Sequence, residues 1–408
     1  MTTRRTFSAA VGGLIALLIG LTAAPAASAS QRPAAARGLA AHAESPAAAA
    51  AAALSASPPK RYKYNQSSIA WTGSRAVIAA TDAHGDLYYF WLAAGHWHSQ
   101  EVAKGKRGVA YSKPAIAWTG SAVVIAAVNA SGGLAYFAQH SGSSKWKYHL
   151  ISQIPHHRYL APSVTGTPGG GVLISTANTV GDLVSFGLGG GGGSWTETLV
   201  GYGTFGSSSV ITCYDSLDHQ YLALITATSG GTLYFWWQFV NGLSWNQEII
   251  ASPGPPGAYT SGGSIAATTN DLLVTAGTAT GQLYFWSQPI GGTGWTRQVI
   301  STGNPVQYAH PAVAWTGPVL GGSFSYDVIT ATSEHGELDY WWTPDGGSTW
   351  TQEKVAASGK QVVYANPGIA ITTTSVILTA VNTKPGDVWY WRQPFGAIPW
   401  QKQRVAQG

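Results

Sequence analysis

An aromatic residue recurs at one place in the sequence, five residues before the first apolar position of each of seven similar segments. Its members are Tyr64, Tyr111, Tyr159, Phe205, Tyr259, Tyr308 and Tyr364, with one residue inserted after Tyr259. Aromatic faces suit the C–H faces of sugars, and loops on a rigid scaffold are common binding positions. The pattern therefore predicts a ring of carbohydrate-binding positions in loops.

Polar residues follow several of these aromatics and could bond to sugar hydroxyls. The candidates are Asn65, Lys113, His310 and Asn366. A second interpretation stays open, in which the rings fill seams inside the fold and tie any hydroxyl to backbone. Phe205 favours that second interpretation, because a phenyl ring has no hydroxyl to offer a ligand.

Catalytic and metal-binding patterns are weak in this sequence. Most acidic residues recur at equivalent turn and strand positions, among them Glu248 and Glu353, which predicts solvated edges rather than a paired-carboxylate site. Asp215 and Asp218 share one loop, and the pair His156-His157 lacks a third spaced ligand. No calcium loop, phosphate loop or Gly-x-Ser-x-Gly motif occurs. We therefore expect no enzyme activity, cofactor or metal.

A repeat near fifty residues long must position the aromatic residues. Its clearest mark is a tryptophan that follows an apolar strand and a glycine turn: Trp97, Trp146, Trp195, Trp245, Trp295, Trp350 and Trp400. Successive gaps are 49, 49, 50, 50, 55 and 50 residues. This period, with strand-type composition in every copy, is typical of a toroidal β-repeat.

Each repeat divides into four predicted strands. In the first repeat they are 68–72, 76–81, 86–91 and 97–102. The second strand is a nearly continuous apolar run in most copies, which indicates burial on both faces. A glycine precedes the third strand in every copy, as a positive-φ turn requires: Gly85, Gly133, Gly181, Gly231, Gly281, Gly336 and Gly386.

These patterns predict an all-β, seven-bladed β-propeller with four antiparallel strands per blade. The seventh copy has its own fourth strand, Trp400 to Val405, so the ring is expected to close in phase, without strand exchange. The rival architectures are two smaller propellers or an array of sandwiches.

One copy resembles a named motif. Thr343, Asp345, Gly347 and Trp350 have the spacing of the Asp-box in sialidase-type repeats. The resemblance implies a turn between the third and fourth strands of a blade, where the motif serves folding and implies no hydrolase activity. The other copies keep the tryptophan and lack the aspartate.

The whole pattern of seven Trp-rich repeats is similar to propeller lectins of the Photorhabdus-lectin and tectonin type. The resemblance is one of architecture and aromatic content, and it implies sugar sites in or between blades. The strand signatures Ile-Ala-Trp-Thr-Gly and Gly-x-Leu-Tyr-Phe-Trp are not those of the two families. No binding residue is carried over from them.

The chain is expected to have three parts: a signal peptide at 1–29, an Ala/Pro-rich flexible linker at 30–61 and the propeller at 62–408. Arg4-Arg5, the apolar run from Ala9 to Leu21 and the small residues Ala27-Ser-Ala29 fit an export signal, by either the twin-arginine or the general route. The apolar run is short for a membrane span, so the mature chain is expected to have none and to be secreted.

Composition narrows the choice of partner. The formal net charge is +5 without a basic block, which disfavours nucleic acid. The single cysteine, Cys213, lies in an apolar strand and is expected to pack there. We expect a secreted, non-catalytic glycan-binding propeller with several weak sites on the face of the fourth-to-first loops. The alternatives are an extracellular scaffold that binds a cell-surface protein and, third, a polysaccharide hydrolase or lyase.

The sequence predicts different consequences for two truncations. Trp245→Ala should destabilise the fold, because every copy keeps this tryptophan and truncating a buried aromatic costs about 3–5 kcal/mol. Tyr111→Ala should leave the fold intact and weaken ligand binding, because polar residues lead into its predicted loop.

Overall fold

The computed structural model describes residues 63–408, except 106–109, 154–157, 216–219, 240–243, 255–256, 261–262, 304–305, 320–323 and 398. The predicted signal peptide and linker lie outside these residues, as do His156, His157 and Asp218. The described residues form seven four-stranded antiparallel sheets, each made of four consecutive strands. The prediction of a seven-bladed propeller is therefore confirmed.

The blades have the following strands. Blade 1 contains β1 (Tyr64–Trp71), β2 (Ala76–Asp82), β3 (Leu87–Ala93) and β4 (His96–Ala103). Blade 2 contains β5 (Tyr111–Trp118), β6 (Ala122–Asn129), β7 (Leu134–His140) and β8 (Lys147–Ser152). Blade 3 contains β9 (Ser163–Thr167), β10 (Gly171–Ala177), β11 (Leu183–Leu188) and β12 (Thr196–Gly201), with a short 3-10 turn at Pro168–Gly170. Blade 4 contains β13 (Phe205–Asp215), β14 (Gln220–Ser229), β15 (Thr232–Phe239) and β16 (Asn246–Ala251).

Blade 5 contains β17 (Ser264–Ala267), β18 (Asp271–Gly277), β19 (Leu283–Pro289) and β20 (Thr296–Ser301). Blade 6 contains β21 (Tyr308–Trp315), β22 (Tyr326–Ser333), β23 (Leu338–Pro344) and β24 (Thr351–Ala356). Blade 7 contains β25 (Tyr364–Ile371), β26 (Ser375–Asn382), β27 (Asp387–Pro394) and β28 (Gln401–Ala406). In the described part of the chain, no helix is long and apolar enough to cross a bilayer.

The ring closes between blades 7 and 1 without exchanging a strand, as the sequence predicted. The amide of Tyr64 donates to the carbonyl of Gly386 at 2.9 Å. The Trp97 Nε1–H donates to Oε1 of Gln403 at 3.1 Å, and its ring meets that of Tyr390 edge to face. This closing seam therefore uses side-chain packing and one backbone bond, with each four-stranded sheet complete in itself.

The core lies between neighbouring blades. Every residue of β2, β6, β10 and β26 is buried, which explains the continuous apolar runs of the second strands. The fourth-strand tryptophan of a blade meets a third-strand aromatic of the preceding blade edge to face, at centroid distances of 4.9–5.2 Å, in six pairs: Trp97–Tyr390, Trp146–Tyr89, Trp195–Tyr136, Trp295–Phe235, Trp350–Phe285 and Trp400–Tyr340. Trp245 packs against the cluster shared by blades 3 and 4. These tryptophans fasten each blade to the one before it.

A backbone clip repeats at all seven seams. The carbonyl of a glycine in the turn before each third strand accepts the amide of the recurring aromatic in the next blade, at 2.8–3.1 Å. The seven acceptor–donor pairs are Gly85–Tyr111, Gly132–Tyr159, Gly181–Phe205, Gly231–Tyr259, Gly281–Tyr308, Gly336–Tyr364 and Gly386–Tyr64. The aromatic residue therefore marks where one blade is tied to the next.

Glycine is required at the clip for two reasons. Gly281 has φ +76°, and a Cβ there would lie 2.1 Å from Cβ of Gln307. Blade 2 departs from the sequence prediction, because its positive-φ clip residue is Gly132 (φ +84°) and Gly133 follows it. Both the left-handed backbone and the close approach of the neighbouring chain exclude a side chain.

The Asp-box resemblance falls where it was predicted, between β23 and β24 of blade 6. The Asp345 carboxylate accepts a 3.0 Å hydrogen bond from Oγ of Ser325, outside the motif's own turn. Asp327 is buried nearby, and burial, followed by the charge of Asp345, raises its pKa to about 7. Its neutral form is therefore the one that the fold favours.

We predict that Gly281→Ala destabilises the propeller by several kcal/mol, because it adds both φ strain and a clash with the neighbouring blade. Positive φ alone costs about 1–2 kcal/mol for an ordinary residue. Gly294→Ala in the same blade is the matched control, since Gly294 has φ +91° and no atom within 4 Å of a Cβ there. Equal midpoints of the two variants in denaturant unfolding would contradict the role of the clip.

Asp327 should make stability depend on pH. Its pKa in the folded state lies above the ordinary value, so its stabilising contribution is complete below about pH 4 and is lost as pH rises to about 7. Asp327→Asn should therefore match the wild type at pH 4 and exceed its unfolding free energy by roughly 2–4 kcal/mol at pH 8. Denaturant melts at the two pH values test this, and a difference independent of pH would contradict it.

Candidate functional site

The recurring aromatic residues are buried. Their exposed fractions lie between 2% for Tyr364 and 6% for Tyr111 and Tyr308. They open the first strand in five blades, while Tyr159 and Tyr259 form isolated bridges just ahead of it. The expectation that these residues lie in loops and offer exposed stacking faces is therefore wrong. The backbone clip, which needs this register in every blade, explains why they recur.

Each ring packs edge to face against a third-strand aromatic of its own blade, at centroid distances of 4.9–5.8 Å. The pairs are Tyr64–Phe90, Tyr111–Phe137, Tyr159–Phe186, Phe205–Trp236, Tyr259–Trp286, Tyr308–Trp341 and Tyr364–Trp391. Some hydroxyls are held by side chains rather than backbone: Tyr159 by Ser152 at 2.8 Å, Tyr308 by Gln352 at 3.0 Å and Tyr364 by Lys402 at 2.7 Å.

Three predicted polar residues occupy a β-bulge. Lys113, His310 and Asn366 have φ values of +51°, +52° and +52°, and each directly precedes a proline. The pairing register of the first strand shifts at these residues. The bulges make one end of the first strands irregular. That these side chains bind a ligand stays a prediction.

Asn65 lies one position earlier in its blade, directly after Tyr64, and is engaged in the fold. Its Oδ1 accepts a 3.0 Å hydrogen bond from Oγ1 of Thr81. Its carbonyl accepts from Nδ2 of Asn366 at 3.3 Å, across the closing seam. Burial lowers the pKa of His310, so that side chain favours its neutral form.

Two cavities lie at equivalent places in the seams between blades. One, of about 470 Å³, lies between blades 6 and 7, and the other, of about 210 Å³, between blades 4 and 5. Both are bordered by the connection between the third and fourth strands of the later blade, at Pro394–Ala397 in one and at Pro289 and 291–293 in the other. In an antiparallel blade this end is opposite the fourth-to-first connections. The predicted face therefore does not hold these cavities.

The same three residue types stand at the same strand positions in both cavities. Tryptophan comes from the third strand and glutamate from the fourth strand of the earlier blade, and glutamine from the third strand of the later one. The sets are Trp237, Glu248 and Gln288 in seam 4/5, and Trp342, Glu353 and Gln393 in seam 6/7. Two copies of the repeat thus build one arrangement twice.

Hydrogen bonds hold the polar wall of each cavity. Gln393 Nε2 donates to both carboxylate oxygens of Glu353, at 3.3 and 3.0 Å. Gln288 Nε2 donates to Oε2 of Glu248 at 3.5 Å and to the carbonyl of Gly292 at 2.7 Å. Each carboxylate is therefore fixed in position and keeps lone pairs for a ligand hydroxyl.

Aromatic side chains form the rest of the larger cavity. Tyr326 meets Trp342 edge to face at 5.5 Å. Phe395 is half-buried, and Phe324 is 69% exposed at the cavity border. An exposed phenyl ring beside a fixed carboxylate offers an apolar face and a polar group to one ligand.

The remaining seams differ at the same positions. Where glutamine replaces the glutamate, it accepts a hydrogen bond from the next blade's tryptophan: Gln100 from Trp146 at 3.1 Å, Gln298 from Trp350 at 2.7 Å and Gln403 from Trp97 at 3.1 Å. In the two glutamate seams, the buried Nε1–H groups of Trp295 and Trp400 have no partner among the described residues. Leaving such a group unpaired costs about 1–3 kcal/mol, so these seams give up stability that the glutamine seams keep.

Tryptophan alone does not produce this arrangement. Seam 1/2 has Trp91 at the position of Trp342, but His98 stacks on it at 5.3 Å and 17°. The other seams have Ala138, Gly187, Ser287 or Arg392 at that position. Among the described residues, the combination of a half-buried tryptophan and a glutamate at these positions is confined to seams 4/5 and 6/7.

The sequence predicted Glu248 and Glu353 on solvated edges; both do lie on edge strands, but each is half-buried and hydrogen-bonded in the wall of a cavity. Each is the third residue after a fourth-strand tryptophan, a position that varies among Gln, His, Thr and Glu between copies. The position of Trp237 and Trp342 also varies between copies. The signal available in the sequence was that tryptophan at this position and glutamate at the other occur together in the same two copies.

The seam cavities offer binding groups rather than a catalytic pair. The described residues that line each cavity include one carboxylate, whereas glycoside hydrolysis ordinarily uses two. Within the described ranges, no three His, Cys, Asp or Glu side chains are grouped to hold a metal ion. Cys213 is buried in an apolar cluster.

Comparison with known proteins gives relatives in structure only. Neither a protein-family model nor a curated protein sequence matches the chain. The BP39L lectin from Burkholderia pseudomallei is similar with a TM-score of 0.66 at 16% identity, covering 84% of this chain and 100% of that one. AofleA from Arthrobotrys oligospora has a TM-score of 0.52 at 13% identity, covering 73% and 88%. These similarities support the propeller fold.

The structure changes the expected outcome of the two truncations. Both Trp245→Ala and Tyr111→Ala should now destabilise the propeller by about 3–5 kcal/mol, because Tyr111 is buried against Phe137. Tyr202→Ala is a control, since Tyr202 is 82% exposed. Thermal melts of the three variants decide the question, and a Tyr111→Ala melt like that of Tyr202→Ala would restore the loop interpretation.

Proposed function

We propose that this chain is a non-catalytic carbohydrate-binding propeller whose sugars bind in seams 4/5 and 6/7. The observation that carries the proposal is the repeated set of tryptophan, glutamate and glutamine in two cavities of equivalent position. Fold similarity to a protein named as a lectin is consistent with it. The degenerate Asp-box of blade 6 is part of the same proposal, as a folding turn beside one of the sites.

Sugar recognition follows from the two kinds of wall. The aromatic side of the larger cavity, with Trp342 and the exposed Phe324, would pack against the C–H face of a pyranose ring. The Glu353 carboxylate would accept hydrogen bonds from one or two hydroxyls, and charge-assisted bonds are the stronger kind. Gln393 holds that carboxylate in place before the ligand arrives, which reduces the entropic cost of binding.

Two sites on one rigid ring favour surfaces that carry many glycans. Each site is open and shallow enough that its affinity for a single sugar should be weak. Binding both sites to one surface raises the effective affinity by avidity. Export by the predicted signal peptide would bring the protein to such surfaces, and secretion is part of this proposal.

The test is a broad glycan array followed by calorimetry with the best glycan. Trp342→Ala and Glu353→Gln should each weaken binding in seam 6/7 by about tenfold or more, which corresponds to roughly 1.4 kcal/mol. Combining Trp342→Ala with Trp237→Ala should abolish binding, because both sites are then lost.

Trp91→Ala is the matched control, because this tryptophan holds the same strand position in a seam where His98 covers it. It should leave glycan binding unchanged. Two outcomes would contradict the proposal and favour a protein-binding scaffold. One is a glycan array on which the folded protein gives no signal, and the other is binding that free monosaccharide does not inhibit.

A further inference from the structure

A third cavity, the blade 6 cavity, has a volume of about 260 Å³ and lies at the opposite end from the seam sites, lined mainly by blade 6 with Ser301 and Val306 on the side of blade 5. It is lined by Tyr308, at the start of the first strand, and by Glu337 and Asp339, at the start of the third. Gln352 and Lys354 of the fourth strand complete its polar wall. It shares no lining residue with the seam 6/7 cavity.

Asp339 is the unusual member of this cavity. It is 1% exposed, its hydrogen-bonding neighbours are the neutral side chains of Tyr308 and Gln352, and within the described part of the chain no cation forms an ion pair with it. Burial, followed by the charge of Glu337, raises its pKa, while the charge of Lys354 opposes the shift. A buried carboxylate without a cation paired to it costs stability, so it is a feature that needs an explanation.

Lys354 does not neutralise Asp339 directly. Its Nζ lies 2.7 Å from Oε1 of Glu337, and its side chain is half exposed at the rim. Gln352 Nε2 donates instead to the hydroxyl of Tyr308 at 3.0 Å. The Lys354–Glu337 pair at the rim is therefore satisfied, and the carboxylate without a cation partner is that of Asp339 inside the cavity.

The neighbouring blades have a cation of their own at this place. In blade 7 the residue equivalent to Gln352 is Lys402, since both pair with the third-strand tryptophan in register. Its Nζ lies 4.0 Å from the centroid of Trp389 and 2.7 Å from the hydroxyl of Tyr364. Trp389 holds the register position of Asp339.

Blade 5 repeats the arrangement with other residues. Arg297 holds the position of Gln352 and lies over the ring of Tyr284, at 5.5 Å from its centroid. Tyr284 in turn holds the position of Asp339. Blades 5 and 7 thus place a cation of the chain over an aromatic ring, whereas blade 6 has an anion in place of the ring and a neutral amide in place of the cation.

We infer that the blade 6 cavity binds the primary ammonium group of a ligand, which takes the place that Lys402 and Arg297 fill in the neighbouring blades. The ammonium would donate to the Asp339 carboxylate and to the Tyr308 hydroxyl, and Glu337 at the rim adds attraction. The cavity has room for an amino sugar or the end of a lysine side chain. This inference is independent of the glycan sites in the seams, which lie at the other end of the ring.

Calorimetry with small amines tests the inference. Glucosamine and Nα-acetyl-lysine methylamide are the two probes, and N-acetylglucosamine is the matched ligand without a charge. At least one amine should bind ten times more tightly than N-acetylglucosamine at this site. Preference for glucosamine identifies an amino sugar as the source of the ammonium, and preference for the lysine derivative identifies a protein side chain.

Two variants and one control distinguish loss of the amine site from loss of folding. Asp339→Asn should weaken amine binding at least tenfold, and Asp327→Asn, which changes another buried aspartate of blade 6, should not affect it. Gln352→Lys should also abolish amine binding, because it supplies the cation that blade 7 already has, and it should raise the melting temperature.

Trp342→Ala, which removes the seam 6/7 glycan site, should leave amine binding intact. Failure of the glycan proposal can therefore be distinguished from failure of the amine inference. The inference is overturned if neither amine exceeds N-acetylglucosamine on the wild-type protein. It is also overturned if folded Asp339→Asn and Gln352→Lys bind the amines as the wild type does.

Discussion

The structure depends on one backbone hydrogen bond, repeated seven times, from the amide of an aromatic residue to the glycine carbonyl of the preceding blade. The bond fixes the distance between blades at the end where second strands turn into third strands. Because the neighbouring chain approaches so closely, the acceptor can carry no side chain, and because its φ is positive, glycine is favoured twice over. The aromatic ring of the donor then packs into its own blade. The glycine carbonyl and the aromatic residue's amide thus determine both the turn before the third strand of one blade and the start of the first strand of the next.

Some residues of each seam hold neighbouring blades together, whereas others differ between seams and are available to bind a ligand. The fourth-strand tryptophan is constant and always packs against the preceding blade, whereas the residue three places after it differs from copy to copy. Glutamine at that place pairs with the tryptophan and makes the seam stronger. Glutamate is found instead in seams 4/5 and 6/7, where it borders a cavity and pairs with a glutamine of the next blade. A duplicated unit can in this way keep a common framework while single blades take up separate tasks.

The fold could be predicted from the sequence because its signals are local: a period near fifty, apolar second strands and turn glycines. The site could not be predicted in the same way. Tyr111 and its equivalents are regular, and regularity does not show whether a ring faces solvent or the core. Trp342, Glu353 and Gln393 come together only when two blades pack side by side, and nothing in the sequence of one blade shows what its neighbour contributes. Asp339 became notable only through register comparison with Trp389 and Tyr284.

The closing seam has a consequence for the topology of the chain. Blades 7 and 1 meet through the same clip, tryptophan contact and glutamine bond that join blades within the chain. The covalent connections between blades therefore determine the order of the blades, while the closure of the ring is left to noncovalent contacts. Because the backbone clip is the same at all seven seams, closing the ring between blades 7 and 1 requires no contact that the other seams lack. Circularly permuted forms that begin at another blade would meet the same set of seams.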